Sequence, residues 1–131
     1  MKKAFVFAGQ GCQYNKMGAS AYEMDSVFRE QMTKMDELLW RKFQVRLIEN
    51  LYGIKAVAGD PVQRLTYSHL AIFCVQYSLA IALKRKGIEP DLVLGYSLGE
   101  IVALTVAEAL SLEESLFLIF SQATLIEKNV T

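Results

Sequence analysis

Histidine is nearly missing from this chain: His69 is the only one in 131 residues. A hydroxyl or thiol nucleophile that needs an imidazole base therefore has one candidate within the sequence. Cysteine is almost as scarce. Cys12 and Cys74 make no disulfide framework, which points to a reducing, cytoplasmic setting. Net charge is absent too, with 14 Lys and Arg against 14 Asp and Glu, so nothing in the bulk charge argues for a nucleic-acid partner. The apolar runs are expected to be broken by charges well short of a membrane span. Met1-Lys2-Lys3 is followed by only five apolar residues before Gly9, too short for a secretory segment. No repeat or low-complexity tract is present.

What is there fits one globular domain. The composition is 53% hydrophobic and 21% charged, which separates it from disordered chains. The most informative stretch is Asp91 to Ala107, DLVLGYSLGEIVALTVA. Leu92-Val93-Leu94 is a short strand-like run, Gly95-Tyr96-Ser97-Leu98-Gly99 a sharp turn, and an apolar helix pattern follows. A G-x-S-x-G turn of this kind places its serine in strained backbone at the carboxyl edge of a sheet. The hydroxyl would then sit at a helix N-terminus, where free N–H groups and the macrodipole favour negative charge. The competing reading is that Ser97 only caps the helix. The strand before it and the helix after it favour the nucleophile.

The remaining elements are read in order. Residues 4–8, AFVFA, suit a strand buried on both faces. Gly9-Gln10-Gly11 ends it as a tight turn presenting the Gln10 amide; it lacks both G-x-G-x-x-G spacing and a P-loop lysine. Residues 21–43 read as one amphipathic helix on Val27, Phe28, Met32, Met35, Leu38 and Leu39. A short helix over 45–52 stops at Gly53, expected in the left-handed position. Residues 58–61 are a turn. A long helix over 68–86 is apolar nearly all round and stops at Gly87 and Pro90. The last helix starts at Ser111 with Glu114 three residues on, a capping box. Only two strands are evident, and their connection through helices implies parallel pairing or a shared parallel sheet. Two strands do not make a stable sheet, so the chain reads as the N-terminal part of a larger α/β domain.

FVFAGQGCQ at the start and LVLGYSLGEIVAL further on together resemble the malonyl-CoA:acyl carrier protein transacylase (acyltransferase) family. Residues 67–73 are similar to its helix start, and residues 87–91 to its approach to the nucleophile strand. The resemblance covers the whole chain but only about the first half of a family member. It implies an α/β fold: part of a large α/β-hydrolase-like subdomain, with a parallel sheet flanked by helices. It also implies that Ser97 attacks an acyl thioester and forms an acyl-serine ester. Backbone N–H groups of Leu98 and Gln10 would hold the oxyanion, with Gly9 and Gly11 framing the second donor. The substrate would be carried on the phosphopantetheine of acyl carrier protein or CoA, with no bound cofactor and no metal. The expected partners are acyl carrier protein and the remainder of the acyltransferase polypeptide, with neither nucleic acid nor membrane. The family's base histidine lies in that remainder. His69 falls where members usually carry glutamine and reads as a site-lining or cap residue.

Two departures bear on substrate. Tyr96 stands where malonyl-using members have histidine. Gln122 stands where they place the arginine that pairs with the free carboxylate of malonyl, and no arginine follows Arg85. Glutamine brings no charge. These changes resemble the free-standing acyl hydrolases of polyketide systems with separate acyltransferases, which remove non-malonyl groups from carrier thiols. Malonyl transfer and a non-catalytic, carrier-docking fragment stay open. Another G-x-S-x-G hydrolase, of the lipase or patatin kind, is disfavoured by the GQG loop.

Overall fold

The computed structural model describes residues 2–9, 11–12, 16–53 and 65–129. Strand β1 (Ala4–Phe7) leads to α1 (Ala19–Met24), α2 (Ser26–Phe43), α3 (Leu47–Tyr52) and α4 (Leu65–Arg85). Strand β2 (Leu92–Gly95), α5 (Leu98–Val106) and α6 (Leu112–Asn129) follow. β1 and β2 pair in parallel, with Ala4 opposite Leu92 and Phe7 opposite Gly95. The α/β class with a helix-flanked parallel sheet is thus the fold observed.

Side chains alternate across the pleat. Phe7 is buried, and Phe5 and Val93 pack against the core. The intervening residues face outward: Val6 is 72% exposed, Leu94 55% and Leu92 43%. Both faces are apolar, as a doubly covered parallel sheet requires, yet among the described residues only one is covered.

The core centres on α4, whose residues from Leu70 to Val75 are all buried, and which packs against α2, α5 and α6. The expectation that charges interrupt every apolar run fails here. Residues 65–83 carry none, and α4 is long and apolar enough to cross a membrane by length and composition. Within the fold 61% of that apolar window is buried, which accounts for its composition as a central core helix.

Helix boundaries follow local chemistry. Residues 21–43 are not one helix. Asp25 is extended (φ −119°), and its Oδ1 accepts the Phe28 N–H at 2.9 Å, so it caps α2 and separates it from α1. Gly53 is not left-handed as expected: φ is −74°, and the constraint is space, because a side chain there would strike the Glu49 carbonyl. Gly87 is left-handed at φ 87°. Its N–H bonds Lys84 C=O at 3.0 Å and the Ile88 N–H bonds Leu83 C=O at 3.0 Å, the paired bonds of a Schellman ending. The capping box at α6 is formed in both directions, Glu114 N–H to Ser111 Oγ and Ser111 N–H to Glu114 Oε1, each at 3.1 Å. The turn expected over 58–61 lies outside the described residues.

Candidate active site

Ser97 occupies the junction of β2 and α5 with φ 56° and ψ −122°. A non-glycine residue holds this conformation only when its surroundings impose it, at a cost of about 1–3 kcal/mol. The surroundings are visible. A side chain at Gly95 would run into the Gly99 carbonyl, and one at Gly99 into the Phe7 carbonyl, so strand and helix approach too closely for anything but glycine. Tyr96 N–H donates to Phe7 C=O at 3.2 Å, extending the β2–β1 pairing up to the residue before the serine.

Ser97 stands at the N-cap position of α5, but its side chain makes no capping bond. The hydroxyl is exposed and uncommitted to the helix, while the backbone carbonyl of Ser97 accepts the Glu100 N–H at 3.0 Å. The following residue, Leu98, has its side chain buried and contributes a first-turn N–H that has no intrahelical acceptor. An oxygen with a nearby unpaired amide at a helix N-terminus can develop negative charge at little electrostatic cost. Tyr96 is 80% exposed and its ring lies in the open.

The first loop meets this elbow directly. Gly9 is buried, and a methyl group built on it would lie 2.8 Å from Ser97 Cβ and 2.6 Å from Tyr96 O. Only glycine permits that approach. Cys12 N–H returns to Gly9 C=O at 3.4 Å, and Gly11 has φ 109°, so the chain reverses here. Gln10, the expected second oxyanion donor, lies outside the described residues.

A residue that the apolar reading of α4 passed over holds this loop. Ala8 N–H donates to Gln76 Oε1 at 2.8 Å, and Gln76 Nε2 donates to Ala8 C=O at 2.8 Å. The signal was present as a lone amide in the run Cys74-Val75-Gln76-Tyr77-Ser78.

Gln122 and His69 belong to the helices around the elbow. α6 begins beside the end of α5, where Thr105 Oγ1 and Ser115 Oγ lie 2.6 Å apart. It ends beside the start of α4, where Glu127 accepts Thr66 N–H at 3.0 Å and Thr66 Oγ1–H at 2.9 Å. At about 1.5 Å per residue Gln122 lies roughly 10 Å along α6 from Ser115, toward the end of the molecule that carries the start of α4. Its side chain is exposed, between Leu118 and Leu125 on one exposed strip of the helix. His69 sits in the first turns of α4, half-buried. Burial lowers its pKa, and the nearby Glu127 charge opposes that only in part. The imidazole is thereby kept neutral near pH ~7. Among the described residues no group of three His, Cys, Asp or Glu side chains could hold a metal ion.

The chain resembles known proteins in sequence and fold. A polyketide biosynthesis acyltransferase homolog, BaeD of Bacillus velezensis, is 38% identical over 122 residues, 93% of this chain but 38% of its own length. The acyl transferase domain of ZmaA superposes with a TM-score of 0.92 at 34% identity, covering 97% of this chain and 30% of the other. MCAT from Streptococcus pneumoniae superposes at 0.83 with 29% identity, over 97% and 39%. The chain therefore spans well under half the length of the relatives it matches. Residues 4–131 match the family model described as the acyl transferase domain. With β1, the GQG sequence, β2 and the glycine-framed serine in that order along the chain, the chain belongs to the acyl transferase domain family.

Proposed function

We propose that Ser97 is the nucleophile of an acyl-enzyme that takes acyl groups from phosphopantetheine thioesters in polyketide biosynthesis. The observation that carries this is the Ser97 backbone at φ 56° with its hydroxyl free of the capping role. In the reaction, Ser97 Oγ attacks the thioester carbonyl and its proton passes to a base. The oxyanion is held by Leu98 N–H and by the N–H that follows Gly9 in the chain, and the carrier thiol leaves protonated. Losing one such donor costs about 2.7–4 kcal/mol of transition-state stabilisation. The base is the family's histidine, in the remainder of the polypeptide; His69 lines the site. The exposed apolar face of the sheet supports a domain completed by that remainder, with acyl carrier protein as the partner that delivers substrate.

For the acyl group we favour an uncharged one, removed by water as the second acceptor. Gln122 supports this, since it offers no cation and lies between Leu118 and Leu125. A malonyl carboxylate deprived of its arginine would lose roughly 2–5 kcal/mol of binding. Malonyl transfer is the second reading, favoured by the likeness to MCAT from Streptococcus pneumoniae.

The test is intact mass spectrometry of the full polypeptide after incubation with acetyl- and malonyl-carrier protein. The expected result is an acetyl adduct on Ser97 that is released as free acid, no adduct in Ser97→Ala, and malonyl uptake gained in Gln122→Arg. A stable malonyl-serine formed in preference to acetyl would reject the hydrolase. An adduct that survives Ser97→Ala would reject the mechanism altogether.

A further inference from the structure

We propose that Gln76 is a positioning residue: its amide holds the Ala8-Gly9 backbone against the Ser97 elbow. Its effect on turnover rests on the acyl-enzyme reading given above. Phe7 C=O accepts from Tyr96 N–H, and Lys3 C=O from Asp91 N–H. In a parallel pair alternate residues bond to the same neighbour, so Lys3, Phe5 and Phe7 turn their peptide groups toward β2. Ala8 turns its own peptide groups the other way. There the Gln76 amide meets them with one acceptor and one donor, each bond 2.8 Å long, as a further strand residue would. The α4 residues from Leu70 to Val75, just before Gln76, are all buried, so the anchor is set in the core.

The contact sits one residue from the chemistry. Gly9, next in the chain, lies so close to the elbow that a Cβ built on it would come within 2.6 Å of Tyr96 O, 2.8 Å of Ser97 Cβ and 3.3 Å of Leu98 N. Leu98 N–H is the amide expected to hold the oxyanion, and the other expected donor begins where Gly9 ends. Fixing Ala8 therefore fixes the wall against which the Leu98 N–H is set. Gln76 makes its hydrogen bonds to Ala8 and none to the serine. It acts through the backbone.

The side chain is well suited to this and its near relatives are not. Gln76→Leu keeps the size and loses both bonds. Gln76→Glu keeps the acceptor for Ala8 N–H, but an ionised carboxylate cannot donate to Ala8 C=O. Ala8 is exposed, so water can replace the lost partners and the cost in global stability is small. A merely structural role would show as a lower unfolding midpoint and nothing more.

The experiment compares wild type, Gln76→Leu and Gln76→Glu in the full polypeptide by amide exchange, thermal unfolding and acylation kinetics. Amide hydrogen exchange of the peptide spanning residues 4–12 reads the loop whether or not the enzyme turns over. Single-turnover acylation from acetyl-carrier protein reads the consequence. The expected result is faster exchange in both variants, larger for leucine, with the unfolding midpoint nearly unchanged. The kcat should fall at least about tenfold at nearly constant KM, since a misplacement of about 1 Å can cost on the order of 100-fold. Unchanged exchange would overturn the proposal, and so would faster exchange with unchanged kcat. If wild type forms no acyl-serine at all, the acyl-enzyme reading fails, and exchange alone decides whether Gln76 holds the loop.

Discussion

His69 illustrates how burial and charge compete at a single side chain. Burial lowers its pKa from the ordinary 6.5, and Glu127 raises it by less. For a base whose folded pKa is lowered, the unfolded chain binds the proton more readily. The associated stability is present above the ordinary value and is lost as pH falls through the folded one. The unfolding midpoint should therefore drop as pH falls through and below the ordinary 6.5, and His69→Gln should flatten that part of the profile. Thermal unfolding of the two proteins across this range checks it; equal slopes would show that His69 is not the group responsible. Acylation of Ser97 should survive the same substitution, because a neutral glutamine fills the lining role. At this scale the sequence was legible where chemistry is local. Ser97, Gly9 and Leu98 could be placed because glycines and a serine at fixed spacing admit few conformations. Gln76 could not, because its partner is Ala8, 68 positions away in the chain.

Among the elements, the caps decide boundaries. The serine and glutamate at the start of α6 exchange two hydrogen bonds, and the Ser111 backbone N–H, followed by its hydroxyl, holds the Glu114 carboxyl below the usual range. Ser111→Ala should cost about 1 kcal/mol, as removal of an N-cap side chain typically does. Denaturant unfolding checks this, and a change under a few tenths would mean that water replaces the cap. The box was readable from four consecutive residues, as were both strands. The break at Asp25 was not read, because the apolar spacing of residues 21–43 continues through it and only the aspartate's side-chain bond to Phe28 marks the end of α1. The early start of α4 was also hidden. Glu127 of α6 accepts from Thr66 at the head of that helix, a cap supplied from 61 positions away.

For the whole molecule, the sheet is bare on one face among the described residues. Val6, Leu92 and Leu94 form an apolar face with nothing over it among the described residues. Contiguous apolar surface of this kind drives association or is covered by further chain. The 131-residue chain by itself should bind a hydrophobic dye and self-associate. Val6→Thr with Leu94→Thr, which keeps strand propensity, should reduce both without lowering the unfolding midpoint. In the full polypeptide the same pair should instead destabilise. Dye binding that is unaffected by the substitutions would locate the sticky surface elsewhere. The sequence has few strands for its helices, which led to the expectation of a partial domain, but it could not say which face of the sheet would be bare among the described residues. That depended on the register of β1 against β2.

The backbone angle at position 97 has an evolutionary edge. A residue held at φ 56°, ψ −122° stores about 1–3 kcal/mol that glycine would release, against about 0.4–1 kcal/mol of added freedom in the unfolded chain. Ser97→Gly should therefore raise the unfolding midpoint while abolishing acylation, and Ser97→Ala should abolish acylation without that gain. Thermal unfolding of the pair checks the difference. Stability and activity pull in opposite directions at this one site. Under the proposed acyl-enzyme role, a descendant freed from the need for a hydroxyl would be expected to drift toward glycine there.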